Sequence, residues 1–148
     1  LTMTKKQGIS LLAISFKPGF VSPKIPIAIF NQGEKELVLL LDSGSDKNII
    51  NIDALKLFDH TLKETKENEQ KHQVSGVGGP QEAVQCTIPF SCGEEKFEEE
   101  FLAIDINSTL DGIRKEHCIQ IHGILGSIFL QEHNIVLDYK NLVAYSAK

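Results

Sequence analysis

The sequence predicts an all-β fold, or nearly so, built from many short strands. Three observations carry that reading. Runs rich in Ile, Val, Leu and Phe recur along the chain, and turn-forming Asn, Gly, Asp and Pro separate them. The third is Leu37-Val38-Leu39-Leu40-Leu41, apolar at every position, as expected of a strand covered on both faces rather than one with a solvated side.

From the start, Lys5 and Lys6 precede the apolar run 9–14 in a pattern faintly like a secretory leader, but a clear small-residue cleavage site is missing, so residues 1–16 read as a first strand or tail. Residues 24–30 and 36–41 flank the turn signal Asn31-Gln32-Gly33 and predict a β-hairpin whose second strand delivers Asp42 into a buried setting. Ile49 and Ile50 continue extended, and Asn51 or Asp53 caps a short helix through Ala54, Leu55, Leu57 and Phe58. Residues 61–72 are too polar to enter a core and read as a surface loop or ribbon. In residues 73–90 the cluster Gly76-Val77-Gly78-Gly79-Pro80 interrupts two strand-like runs, the pattern of a long hairpin with a glycine tip. Residues 94–100 are acidic around Phe97 and read as a solvated strand edge or turn rather than a cation site, and Phe97, Phe101, Ala103 and Ile104 predict a further strand. Residues 119–125 are extended, 127–133 suit a short helix, and 135–139 with 142–145 close the chain as a hairpin around Lys140-Asn141.

With 148 residues, 41% apolar and 24% charged, the chain suits one domain spanning 1–148, since domains commonly run from about 50 to about 250 residues. No stretch approaches the roughly 18 consecutive apolar residues of a membrane span. A net charge of −5 with acids spread along the chain leaves no basic footprint for a phosphate backbone, which argues against nucleic acid as partner. Cys86, Cys92 and Cys118 cannot all pair within one chain, so reduced structural thiols are expected, and a cytoplasmic location with them, a secreted or periplasmic one staying open.

Asp42 is the residue that needs a reason. A carboxylate placed directly after five apolar strand residues is expected in low dielectric, where its charged form is disfavoured. In Asp42-Ser43-Gly44 the hydroxyl offers a donor, and the glycine lets the backbone turn an amide toward the carboxylate. Alone the triplet is an ordinary turn sequence. The order of Leu39-Leu40-Leu41-Asp42-Ser43-Gly44-Ser45-Asp46, then Gly76-Val77-Gly78-Gly79, then Ile124-Leu125-Gly126 before a short helix resembles the retropepsins, the retroviral-type aspartic peptidases of clan AA, over residues 24–145.

That resemblance implies a closed, barrel-like β-fold with one or two short helices, the Asp-Ser-Gly loop at the floor of a cleft and the glycine hairpin as a flap over bound peptide. It implies that Asp42, Ser43 and Gly44 form the catalytic loop, with Ser43 bracing it. Ser45, Asp46, Gly76, Val77, Gly78 and Gly79 would meet substrate, with Ser45 also hydrogen-bonding the outer oxygen of the Asp42 carboxylate. Ile124, Leu125 and Gly126 would support the loop from behind. Asp-Ser-Gly occurs once in the chain, whereas the chemistry needs two carboxylates, so the resemblance implies a homodimer with Asp42 from each protomer at the two-fold axis and no cofactor or metal. The sequence departs from the family pattern at Ser43, where Thr is commoner, at Lys47, which adds a charge near the cleft, and at Ser127, where viral members carry a dimer-contact arginine.

Other chemistries fit less well. Cys118 and His122, or Cys86 and Cys92, lack the second close pair of a zinc site, and the sequence supplies no cause for an activated cysteine. The Gly76–Gly79 cluster lacks the Lys-Ser or Lys-Thr of a phosphate loop, and His122 reads as a structural hydrogen-bonding residue. Two functions follow: an aspartic endopeptidase acting on peptide or protein substrates, or an inactive retropepsin-like dimerisation or peptide-binding module.

Overall fold

The computed structural model describes residues 9–10, 25–63, 72–76, 79–141 and 143–147. The turn at Gly33, whose φ of +62° suits glycine, joins β2 (Ile27–Gln32) to β3 (Lys35–Leu41) in the expected hairpin. β1 is Ile9–Ser10, within the run expected to be a first strand. β4 (Ile49–Asn51) leads into the short helix α1 (Ile52–Leu55), and β5 (Thr61–Leu62) makes a brief pairing at the start of the segment expected as a surface loop or ribbon. β6 (His72–Gly76) and β7 (Gly79–Cys92) form the long hairpin, and β8 (Glu95–Ile104) returns along β7. Helix α2 (Asn107–His117), strand β9 (Gly123–Leu125) and helix α3 (Ser127–Glu132) follow, then the closing hairpin of β10 (Ile135–Asp138) and β11 (Val143–Ser146).

Six strands run β2-β3-β9-β4-β8-β7, and β7 returns to β2 through the pairing of Asn31 with Ser91, so the sheet closes on itself. The Gln32 side chain secures the seam. It donates to the Asp59 and Pro89 carbonyls at 2.8 and 2.9 Å and accepts from the Asp59 amide at 2.7 Å. The nearly all-β fold with a closed barrel expected from the sequence is thus the observed one, with a separate sheet β1-β11-β10 beside the barrel. Three helices are present among the described residues, one more than expected, and none is long and apolar enough to cross a membrane.

Alternation along β3 explains its continuous apolar run. Leu37, Leu39 and Leu41 enter the main core with Phe30, Phe90, Phe97, Phe101 and Phe129, where the rings of Phe30 and Phe90 meet edge-on at 5.0 Å. Val38 and Leu40 face the other way, into a second cluster with Ile27, Leu110, Ile113 and Ile121. Helix α2 therefore supplies part of the cover on the second face through Leu110 and Ile113. The sequence anticipates that cover but not the helix, because NSTLDGIRKEH has few apolar residues and a central Gly112. It ends at Cys118, whose left-handed φ of 58° turns its amide back to the Arg114 carbonyl at 2.9 Å.

Candidate active site

β9 is the strand that positions the site. It lies between β3, paired in parallel from Leu39–Gly123 to Leu41–Leu125, and β4, paired antiparallel through Ile49–Ile124 and Ile50–Gly123. All three of its residues are buried. The β4 backbone approaches so closely that a Cβ on Gly123 would lie 2.3 Å from the Ile49 carbonyl oxygen, which excludes any larger residue without movement.

Asp42 continues the β3–β9 ladder, its amide donating to the Leu125 carbonyl at 2.9 Å. The chain then turns. The Ser45 amide donates to the Asp42 carbonyl at 3.1 Å, and the Gly44 amide donates to the Asp42 Oδ1 at 2.9 Å. This is the amide-on-carboxylate contact expected of Gly44. Asp42 is half-buried rather than fully enclosed, with Ser43 and Gly44 exposed, so the expectation of a buried carboxylate is corrected. The reason is that Asp42 lies one residue beyond the strand, outside the layer that covers Leu41.

Ser45 differs from expectation. Its Oγ donates to the Lys47 carbonyl at 2.7 Å, stabilising the turn instead of the carboxylate. Asp46 and Lys47 are exposed. Behind the loop, Ile124, Leu125 and Gly126 are buried as expected of supporting residues, and the Ser127 amide donates to the Ser45 carbonyl at 2.6 Å. A Cβ on Gly126 would sit 2.5 Å from the Lys47 carbonyl oxygen and 2.6 Å from that of Ser45. Loop and helix start thus touch backbone to backbone.

Sequence reading missed Asn48. With 9% of its surface exposed, it accepts from the Gly126 amide through Oδ1 at 2.9 Å and donates from Nδ2 to the Glu100 carbonyl at 3.0 Å. Its own carbonyl takes the Leu102 amide at 2.9 Å. One amide side chain therefore joins the Asp42 loop to β8 and to the start of α3. The available signal was a polar residue immediately ahead of the apolar Ile49-Ile50.

The hairpin glycines fall where the sequence put them, with Gly76 opposite Gly79 at the end of the β6–β7 ladder. Val77 and Gly78 lie outside the described residues. His122 is structural, as expected. Its Nδ1 accepts from the Val38 amide at 3.0 Å, its ring meets Phe58 edge-on at 5.0 Å, and burial pushes its pKa down. Burial also raises the Cys86 thiol to about 11 and the Cys92 thiol above its ordinary value, the opposite of what a thiolate nucleophile needs.

No protein-family model matches the sequence, and no curated protein matches it. Among solved structures, the chain is similar to EIAV protease complexed with the inhibitor HBY-793. The two share 21% identity over 76% of this chain and 93% of that one, with a TM-score of 0.48.

Proposed function

We propose that the chain is one half of an aspartic endopeptidase, with Asp42 of two protomers forming the catalytic dyad. The observation that carries this reading is the Asp42 turn itself. A carboxylate leaves a barrel strand, receives the Gly44 amide, and rests on a loop fixed from behind by Gly126 and Asn48. The order of the Asp-Ser-Gly, glycine-hairpin and Ile-Leu-Gly segments supports it further.

Two carboxylates about 3 Å apart cannot both ionise, so the dyad holds one proton. The ionised Asp42 takes a proton from a water molecule, whose oxygen attacks the scissile carbonyl carbon while the protonated Asp42 donates to the carbonyl oxygen. Collapse of the tetrahedral diol expels the amine, which leaves with a proton from the dyad, and no acyl-enzyme forms. Substrate would lie extended between the loop and the β6–β7 hairpins of both protomers, held largely by backbone hydrogen bonds, with small residues at Gly76, Gly78 and Gly79 permitting close approach. Ser43 and Asp46 are both exposed; on this reading Ser43 would brace the loop and Asp46 would meet the substrate main chain.

The second reading is an inactive dimerisation or peptide-binding module. Ser127 offers no guanidinium for the dimer contact of viral members, so under either reading a dimer is built differently from theirs. Hydrolysis of a mixed peptide library near pH 5, with and without a statine-type inhibitor, separates the two. The peptidase reading expects inhibitable cleavage that is abolished in a folded Asp42→Asn variant. A confirmed dimer with no cleavage, or undiminished cleavage by Asp42→Asn, contradicts it.

A further inference from the structure

Strand β8 buries Phe97 and Phe101, and Glu99 lies between them on the same face. Its side chain is only 14% exposed, so this acid is not the solvated edge residue that the sequence led us to expect. The partner is His133, just past the end of α3, whose Nε2 lies 2.6 Å from the Glu99 Oε1. Two rings fix that imidazole: Phe97 meets it edge-on at 5.1 Å, and Phe129 lies against it at 4.6 Å. Glu132, the last residue of α3, is exposed and brings a second carboxylate. One donor atom each from Glu99, Glu132 and His133 lie within 4.8 Å of one another. Glu99 and Glu132 also border a cavity of about 290 Å³, whose lining includes Glu98, Glu100 and Lys47.

We propose that Glu99, Glu132 and His133 bind a transition-metal dication of the zinc class. The donor set selects the metal. An imidazole nitrogen with two carboxylate oxygens suits zinc, whereas calcium and magnesium take oxygen ligands throughout. Bonds of about 2.0–2.2 Å to a tetrahedral ion place ligand atoms roughly 3.3–3.6 Å apart, so Glu99 and His133 separate from their 2.6 Å contact while the three donor atoms already lie within 4.8 Å of one another. The ion takes the place of the direct contact between Glu99 and His133, with the imidazole ligating through Nε2. Its fourth position faces the cavity, open to water or to a ligand from a bound molecule. What separates this group from an ordinary acidic patch is the nitrogen ligand, held in orientation by Phe97 and Phe129 before any ion arrives.

The consequence is mechanical. An ion at this point ties β8 to the end of α3, the helix whose first amide holds the Ser45 carbonyl behind Asp42. It takes no part in peptide hydrolysis, and the site stands independently of the peptidase reading.

Calorimetric titration of the full chain with Zn²⁺ tests the proposal, with Co²⁺ absorption reporting the ligand geometry. The expected result is one ion per chain, a rise in thermal midpoint on binding, and a visible Co²⁺ spectrum of tetrahedral intensity. Glu132→Gln, at an exposed position, keeps the fold and weakens binding at least about tenfold, the scale on which residues supporting metal sites act. His133→Gln is expected to abolish binding, and circular dichroism reports whether that variant remains folded. Cys118→Ser, which removes the exposed thiol, leaves binding unchanged. Absence of Zn²⁺ binding in the native chain, or binding that survives Glu132→Gln and disappears in Cys118→Ser, overturns the assignment.

Discussion

The two ends of the β3–β9 pair hold polar groups in contrasting ways. At one end His122 exchanges hydrogen bonds with Val38, its amide donating to the Val38 carbonyl at 2.8 Å and its Nδ1 accepting the Val38 amide at 3.0 Å. Phe58 covers the ring. A neutral imidazole has one acceptor nitrogen, and here the backbone takes it, so little capacity remains for chemistry. At the other end Asp42 receives the Gly44 amide on one oxygen and stays half-buried. An ionised carboxylate has about four acceptor sites, so Asp42 retains most of its capacity for a proton, a water molecule or a second carboxylate. The same two strands thus end in a group engaged by the fold at one side and a group only partly engaged at the other.

Substitutions can break or sharpen that contrast. Gly126→Ala should have the largest effect on stability, because the added carbon meets two backbone oxygens that cannot rotate away. We expect a loss of about 3 kcal/mol, at the upper end of overpacking costs, read as a lower denaturant midpoint. A loss below about 1 kcal/mol would mean that the Asp42 loop yields freely. Asn48→Ala comes next. It leaves the buried Gly126 amide and the Glu100 carbonyl without their side-chain partner, and about 2 kcal/mol is expected in the same assay.

At the far end, the effect of His122 is smaller and depends on pH. Its folded pKa lies below the ordinary value because burial favours the neutral ring. Its contribution is therefore fully present above an unfolded pKa of about 6.5 and is lost as pH falls through the lower folded value. His122→Gln, which keeps an acceptor for the Val38 amide, should flatten that acid loss in a series of melts across pH. An unchanged slope would place the acid sensitivity elsewhere. Asp42→Asn should alter stability least, within about 0.5 kcal/mol, because the residue is half-exposed and the amide oxygen still accepts from Gly44.

How much of this could be read from the sequence depended on how local each cause is. The apolar run of β3 declared its two-sided burial, and Asp42-Ser43-Gly44 declared its turn, because alternation and turn chemistry act within a few residues. Gly126 was also legible as a point of close approach. Asn48 was not, because its partners Glu100 and Gly126 are 52 and 78 residues away and nothing near it in the chain marks them. Helix α2 escaped because its stability comes from setting Leu110 and Ile113 against β2 and β3, a tertiary contribution that outweighs a poor local propensity. Glu99 was hidden for a related reason. Among consecutive glutamates, only strand register decides which one turns inward.

The central claim is that Asp42 is half of a catalytic site. It is tested most directly by mixing native protein with Asp42→Asn at constant total concentration, allowing subunits to exchange, and measuring peptide hydrolysis. If two Asp42 side chains make one dyad, activity follows the square of the native fraction, so an equal mixture retains about one quarter of the native rate. Activity that falls in direct proportion to the native fraction, retaining about one half, would show that each chain works alone and would contradict the account.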